Sequence, residues 1–263
     1  MFFQYNIKTI KMSDIKEFTF QFNRQNLDKI VDIIKDLSKI DLMIKMKMDD
    51  EHVLFYAKAG KDNSIHALKS FMLPITDFII ADDYPNLDFI ILNGPNFIKN
   101  LDILNRERPI NGKLTYKEKD PVASMFYISN DKIKVNFITG DYRMIKDITK
   151  GDIENKMDPH NANFDFVISG EDFAEVKKLT ALNKSETISL RVNKGKLEFF
   201  DGRKWSLHVC DLPKVDDETW SFNNKYLKSI TPSDEITIHM FDQFLLFKED
   251  NVALMIGLEL SEL

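Results

Sequence analysis

Two tandem copies of one α+β unit are predicted for this chain by three observations. The segment F-T-F-Q-F-N around Phe18, followed by a helical stretch from Arg24 to Lys39, returns as F-D-F-V-I-S around Phe164, followed by a helical stretch from Glu171 to Lys184. In both places alternating hairpin-like strands, a short second helix and more strands follow. A self-similar order of this kind marks an internal repeat. Third, no catalytic motif interrupts either copy, so the repeat reads as a duplicated surface. The predicted class is α+β, with antiparallel sheets and two short helices per copy.

In the first copy, residues 18–23 alternate apolar and polar, as a half-buried strand does. Asn23 is placed to cap the following helix, whose Leu27, Ile30, Val31, Ile34 and Leu37 fall on one face. Leu42, Ile44, Met46 and Met48 then recur with period two. Val53 to Ala59 and Ile65 to Leu73 continue as strands around the G-K-D-N-S turn. A loop is expected over 74–86. Leu87 to Leu92 reads as a buried strand, and Asn93-Gly94-Pro95 opens a helix with Pro95 in its first turn. Residues 111–119 and 123–139 read as strands, with a hairpin turn at 130–132.

Residues 140–162 are polar with scattered Ile and Met and read as a connector. The expected division is therefore 1–145, including a leader over 1–17, then a connector over 146–162, then 163–263. In the second copy, strands are expected over 163–169, 187–193, 196–200 and 204–210, with a helix over 171–184. Trp220-Ser221-Phe222 is a short strand, and Asn223 caps a short helix. Strands over 235–241, 243–249 and 252–260 close the chain.

Composition narrows the function. The 263 residues are 43% hydrophobic and include 21 phenylalanines, enough for buried cores. Cys210 is the only cysteine, which excludes an intramolecular disulfide and suits a reducing, cytoplasmic compartment. No apolar run nears the ~20 residues that span a bilayer, so no membrane partner is expected. His52, His66, His160, His208 and His239 lack metal-ligand spacing, and no phosphate-loop, dinucleotide or nucleophile-elbow motif occurs. No metal or cofactor and no catalytic residue are expected. Asp82-Asp83 within D-D-Y-P reads as turn chemistry.

The order of elements resembles the sliding clamps of DNA replication, of the PCNA and bacteriophage clamp type. The resemblance covers nearly the whole chain from Phe18. It is carried most by F-D-F-V-I-S-G-E-D-F, T-I-S-L-R-V-N-K-G-K-L-E-F-F-D-G and the terminal V-A-L-M-I-G-L-E-L. It implies a viral or phage-type processivity factor without enzymatic activity. It further implies a homotrimeric ring that encircles duplex DNA, tethers a DNA polymerase and is placed by a clamp loader.

Charge distribution bears on that implication. The helical segments carry Arg24, Lys29, Lys35 and Lys39, then Lys99, Arg106 and Arg108, then Lys177, Lys178 and Lys184, then Lys225 and Lys228. Set against their acids, the four segments hold an excess of four positive charges in a chain of net charge −6. Basic helices on an acidic body suit a ring whose lining attracts phosphate without reading sequence. Arg24, Lys29, Lys35, Lys39, Lys99, Arg106, Lys177, Lys178, Lys184, Lys225 and Lys228 are thus the expected pore-lining residues. Solvated helix faces give the bland alternative. The stripe Asp28, Asp32, Asp36 opposes the pore reading.

The resemblance also implies a groove for partner peptides. Its expected walls are Met144, Ile145, Ile148 and Ile153 of the connector, Leu258 and Leu260, and Tyr56 and Ala59. Alternatively, the connector's apolar residues merely pin it to the body. Subunit edges are expected at 110–119 and at 187–193 or 204–210. Rival readings are a monomeric DNA-binding processivity factor, a β-rich hydrolase using paired carboxylates, and a duplicated virion protein.

Overall fold

The computed structural model describes residues 15–60, 65–104, 108–117, 120–140, 145, 147–202, 204–230 and 233–259. Most of the leader and most of the G-K-D-N-S turn lie outside these residues.

Strand β1 (Ile15–Phe22) buries Phe18, Phe20 and Phe22 and exposes Glu17, Thr19 and Gln21. A 3-10 turn at Arg24–Asn26 and helix α1 (Leu27–Leu37) follow. Asn23 caps the 3-10 turn by accepting the Gln25 N–H, and the turn runs directly into α1. Strands β2 (Ile44–Met48), β3 (His52–Ala59) and β4 (Ala67–Pro74) come next. The stretch expected as a loop instead holds α2 (Ile75–Phe78) and β5 (Ile79–Ile80), which pairs with β1. Strand β6 (Leu87–Ile91) leads into α3 (Gly94–Ile103), capped by Asn93 accepting the Asn96 N–H. Strands β7 (Asn111–Lys117), β8 (Asp120–Ser129) and β9 (Lys134–Ile138) complete the first repeat.

The connector is more ordered than its sequence suggested. Thr149 and Asp152 form a reciprocal capping box that starts α4 (Lys150–Lys156). Such a box satisfies two otherwise unpaired amide donors. The second repeat holds β10 (Phe164–Ser169), α5 (Gly170–Leu182), β11 (Thr187–Asn193), β12 (Lys196–Asp201), β13 (Trp205–Asp211) and β14 (Glu218–Asn223). Its second helix, Asn224–Ser229, is of the 3-10 type. Strands β15 (Glu235–Met240), β16 (Phe244–Glu249) and β17 (Val252–Gly257) follow. Lys194 and Gly195 take left-handed backbone angles, φ +52° and +75°, at the β11–β12 turn.

Strand pairing repeats with the sequence. The ladder β1-β7-β8-β9 corresponds to β10-β15-β16-β17, and β6-β2-β3-β4 corresponds to β14-β11-β12-β13. The two repeats are joined by antiparallel pairing of β4 with β17, from Ala67↔Ile256 to Phe71↔Val252. The counterparts of those two strands, β13 and β9, each keep one side unpaired among the described residues. This corrects two expected edges. The 110–119 stretch forms β7, flanked by β1 and β8. The 187–193 stretch forms β11, flanked by β12 and β14. Only the 204–210 alternative falls on an open strand.

Two clusters form the core. The main one packs both helix pairs on the inner side of the sheets and runs through both repeats. Gly112 is required there, because a Cβ would overlap the Phe20 ring. A smaller cluster of Leu54, Tyr56, Leu68, Ile90, Leu246 and Met255 lies on the opposite side of the sheet, under Ile145, Ile148, Ile153 and Met157.

Candidate nucleic-acid face and partner groove

The helices of both repeats meet on one side of the joined sheet. Helix α1 packs on α3, and α5 packs on the 3-10 helix Asn224–Ser229. The two pairs are linked by Lys69 of β4. Its ammonium donates to the Asp36 carboxylate of α1 and to the Ser229 carbonyl of the second repeat. The Lys69 side chain is 3% exposed and that of Asp36 is 16% exposed. Burial lowers the Lys69 pKa, against the opposing effect of Asp36.

This linkage changes the meaning of the aspartate stripe. Asp36 serves the seam between repeats, with Lys39 also within 3.0 Å of it. Asp32 pairs with Lys35 at 3.2 Å, and Lys29 pairs with Asp77 at 3.4 Å. Most cations on α1 are therefore neutralised locally, and that helix brings less free positive charge than its sequence implied. On α5, Lys178 pairs with Glu175 at 3.3 Å. Lys177 lies 5.3 Å from the Phe173 ring centre, and its pKa is lowered by burial and by nearby Lys39. Arg24, Lys99, Lys184, Lys225 and Lys228 are exposed and carry no ion pair among the described residues. Arg106 lies outside them. Arg108 is held by Asp131 at 2.6 Å.

The groove residues divide. Tyr56 lies fully buried beneath the connector, and its hydroxyl accepts the Ile148 N–H at 3.2 Å. Burial pushes its phenol well above the ordinary value. Ala59 does not join it. Along β3, Val53, Phe55, Ala57 and Ala59 enter the main core, while Leu54 and Tyr56 face the connector. Period two along a strand sends residues 56 and 59 to opposite faces. Leu258 is also a correction. It packs against the main core, and its N–H donates to Gln243 O at 2.8 Å. Met144 and Leu260 lie outside the described residues.

Ile145, Ile148 and Ile153 are buried at 5–6% exposure, so they pin the connector to the body. The pinning is also electrostatic. Asp147 receives hydrogen bonds from Lys45 at 2.9 Å and Lys47 at 2.7 Å, and Asp88 lies 3.4 Å from Lys47. Burial alone would raise the Asp147 pKa, yet the two lysines hold it below the ordinary carboxylate value. Asp88 is raised by burial in spite of the same lysines.

Beside this anchor a groove of about 430 Å³ remains open between the connector and the β4–β17 seam. Ile148, Ile153 and Met157 form one wall, with Leu68, Phe244 and Met255 opposite. Asp152 and Lys156 stand at its rim, 2.8 Å apart. Sequence reading missed Leu68, Met157, Phe244 and Met255. Met157 had a signal, since it stands four residues after Ile153 in a helix opened by a capping box.

Asp82 and Asp83 are exposed, and Asp83 accepts the Tyr84 N–H at 2.9 Å. No helix among the described residues is long and apolar enough to cross a membrane.

By sequence, no protein-family model and no curated protein matches this chain. By structure it is similar to DNA polymerase III beta chain from Streptococcus pneumoniae, at TM-score 0.62 and 11% identity, over 93% of this chain and 66% of that one. It is similar to a DnaN sliding clamp (DNA polymerase III subunit beta) from Pseudomonas aeruginosa bound to griselimycin, at TM-score 0.58 and 10% identity, over 94% and 65%. It is also similar to PCNA from Thermococcus kodakaraensis, at TM-score 0.56 and 15% identity, over 93% of this chain and 100% of that one. The chain thus spans about two thirds of the length of the bacterial clamps and the whole of the archaeal one. It has the sliding-clamp fold.

Proposed function

We propose that this chain is a sliding clamp without enzymatic activity. Three copies close into a ring around duplex DNA, with the connector dividing each copy into clamp domains of 1–145 and 163–263. The observation that carries this reading is sidedness: the helix pairs of both repeats lie on one side of the β4–β17 seam, linked there by Lys69, and β9 and β13 each keep an open side among the described residues. Arg24, Lys99, Lys184, Lys225 and Lys228 would supply the phosphate attraction, supported by Lys177 and Lys178. Topology then holds the DNA, so weak, sequence-independent contact suffices and does not impede sliding.

The groove between connector and seam would receive an apolar peptide segment of a DNA polymerase or a clamp loader. Its apolar walls with a charged rim suit anchor side chains from a short peptide.

Light scattering tests the ring, with an expected mass three times the 30.7 kDa chain. A strict monomer at all concentrations refutes it and leaves the monomeric DNA-binding factor. Charge reversal of Lys177, Lys178, Lys225 and Lys228 should abolish clamp-dependent processive synthesis while the oligomer persists. Unchanged processivity removes the pore assignment.

A further inference from the structure

The internal seam and the open edges are the same junction made with different side chains. Core-facing positions fix the correspondence. Phe18, Phe20 and Leu27 of the first repeat match Phe164, Phe166 and Phe173 of the second, so Asp36 on α1 matches Leu182 on α5. In the sheets, Met46↔Phe55↔Phe71 matches Leu190↔Phe199↔Leu207. Lys69, opposite Ala57, therefore matches Trp205, opposite Asp201. On the mating side, Leu245↔Ile256 matches Phe126↔Phe137, so Leu254 matches Val135 and Val252 matches Ile133.

The buried pair Asp36–Lys69 is thus replaced at the free edge by Leu182 and Trp205. Leu182 is 70% exposed, a large apolar side chain left in water. The Trp205 indole N–H has no acceptor among the described residues, whereas Lys69 reaches Ser229 in the neighbouring repeat. The complementary edge carries an exposed apolar side chain too, with Ile133 exposed at 38%. Both edges lack the partner that the internal seam supplies.

We propose that a second copy of this chain docks head to tail through an apolar junction, β9 against β13, in which Val135 lies opposite Trp205 and Ile133 opposite Leu207. This rests on the ring reading and adds register and chemistry to it. The internal template is Leu254 opposite Lys69 and Val252 opposite Phe71. A one-residue slip would turn Trp205 and Val135 away from each other's face, so the register is strongly specified. Since the junction carries no ion pair at its centre, added salt should not dissociate it.

The same template sets Lys134 opposite Ser206, as Ala253 stands opposite Ser70. The test uses the full chain with Cys210→Ser and oxidation of the pair Lys134→Cys with Ser206→Cys. Intermolecular disulfides should form and build a ladder ending at three chains. The out-of-register pair Lys134→Cys with His208→Cys should crosslink at least tenfold less. Independently, Trp205→Lys should raise the concentration needed for association at least tenfold, and adding Leu182→Asp should recover part of the loss by recreating the internal pair. If the parent chain associates but the in-register pair does not crosslink selectively, the junction is wrong while the ring reading stands. If the parent chain is monomeric throughout, both fall. Should Trp205→Lys fail to fold by circular dichroism, the crosslinking pair alone decides.

Discussion

Asp36→Ala should cost more than the partial exposure of Asp36 suggests. Lys69 is almost completely buried, and Asp36 is its only anionic hydrogen-bond partner among the described residues. Removing Asp36 leaves the ammonium with one neutral acceptor, the Ser229 carbonyl. Breaking a buried pair from one side costs roughly 3–5 kcal/mol, because the surviving charge stays desolvated. The reverse change, Lys69→Met, should cost only about 1–2 kcal/mol. Asp36 keeps Lys39 at 3.0 Å and some access to water. The double change Asp36→Leu with Lys69→Met should fall within about 1 kcal/mol of the parent, since apolar replacements of buried pairs are often neutral. The pH dependence has a definite sign. Burial already holds Lys69 below its ordinary 10.5, and Asp36 opposes that shift. In the variant the folded pKa falls further, the unfolded chain binds the proton more readily, and stability rises with pH towards 10.5 over a wider window. Urea unfolding followed by circular dichroism measures both effects. A loss under about 1 kcal/mol without an alkaline rise in stability would show that the seam does not depend on this pair.

Thr149→Ala should remove the capping box and weaken α4 by about 1 kcal/mol, seen as a roughly fivefold loss of amide exchange protection over Ile153–Met157. Acidification should free the connector early. Asp147 is held below its ordinary 3.8, so its contribution is intact above that value and fades as pH falls through the lower folded value. The Ile148 amide, bonded to Tyr56, should lose protection there before the β2–β3 ladder does. Phe244→Ala with Met157→Ala should weaken partner-peptide affinity at least tenfold by calorimetry while the oligomer mass is unchanged. Retained affinity would remove the groove assignment.

The repeat was legible because the buried faces are written in periods that survive duplication. Phe18, Phe20 and Phe22 alternate, and Leu27, Ile30 and Ile34 follow at helical spacing. The caps Asn23, Asn93 and Asn223 were readable for the same reason, since each is a local hydrogen bond within three residues. What stayed hidden is short or tertiary. A four-residue helix such as α2 has no room to show a period, and β5 exists only by pairing with β1. Asp36 looked like the end of a solvated stripe because its partner stands 33 positions away on β4. Ala59 is near Tyr56 in sequence but falls on the opposite face of β3, as the period-two alternation of the strand requires.

The contrast between the two junctions has a physical logic. The β4–β17 seam forms within one chain, where the connector keeps the repeats at high effective concentration. Such a seam tolerates a buried ion pair that contributes little net stability but is badly satisfied in any other register. A junction between copies must also overcome the lost translational and rotational freedom of association. Apolar surface gives a surplus for that purpose, and Trp is among the side chains that concentrate binding energy. Leu182 and Trp205 stand where Asp36 and Lys69 stand in the other repeat, so the exchange of an ion pair for apolar groups falls on the side where association must be driven. The same division explains why the free edges expose large apolar residues although the chain's surface is otherwise heavily charged. On a soluble monomer those residues would be a liability. In the proposed ring they would be buried, and the pairing that protects them would also set the register of β9 against β13.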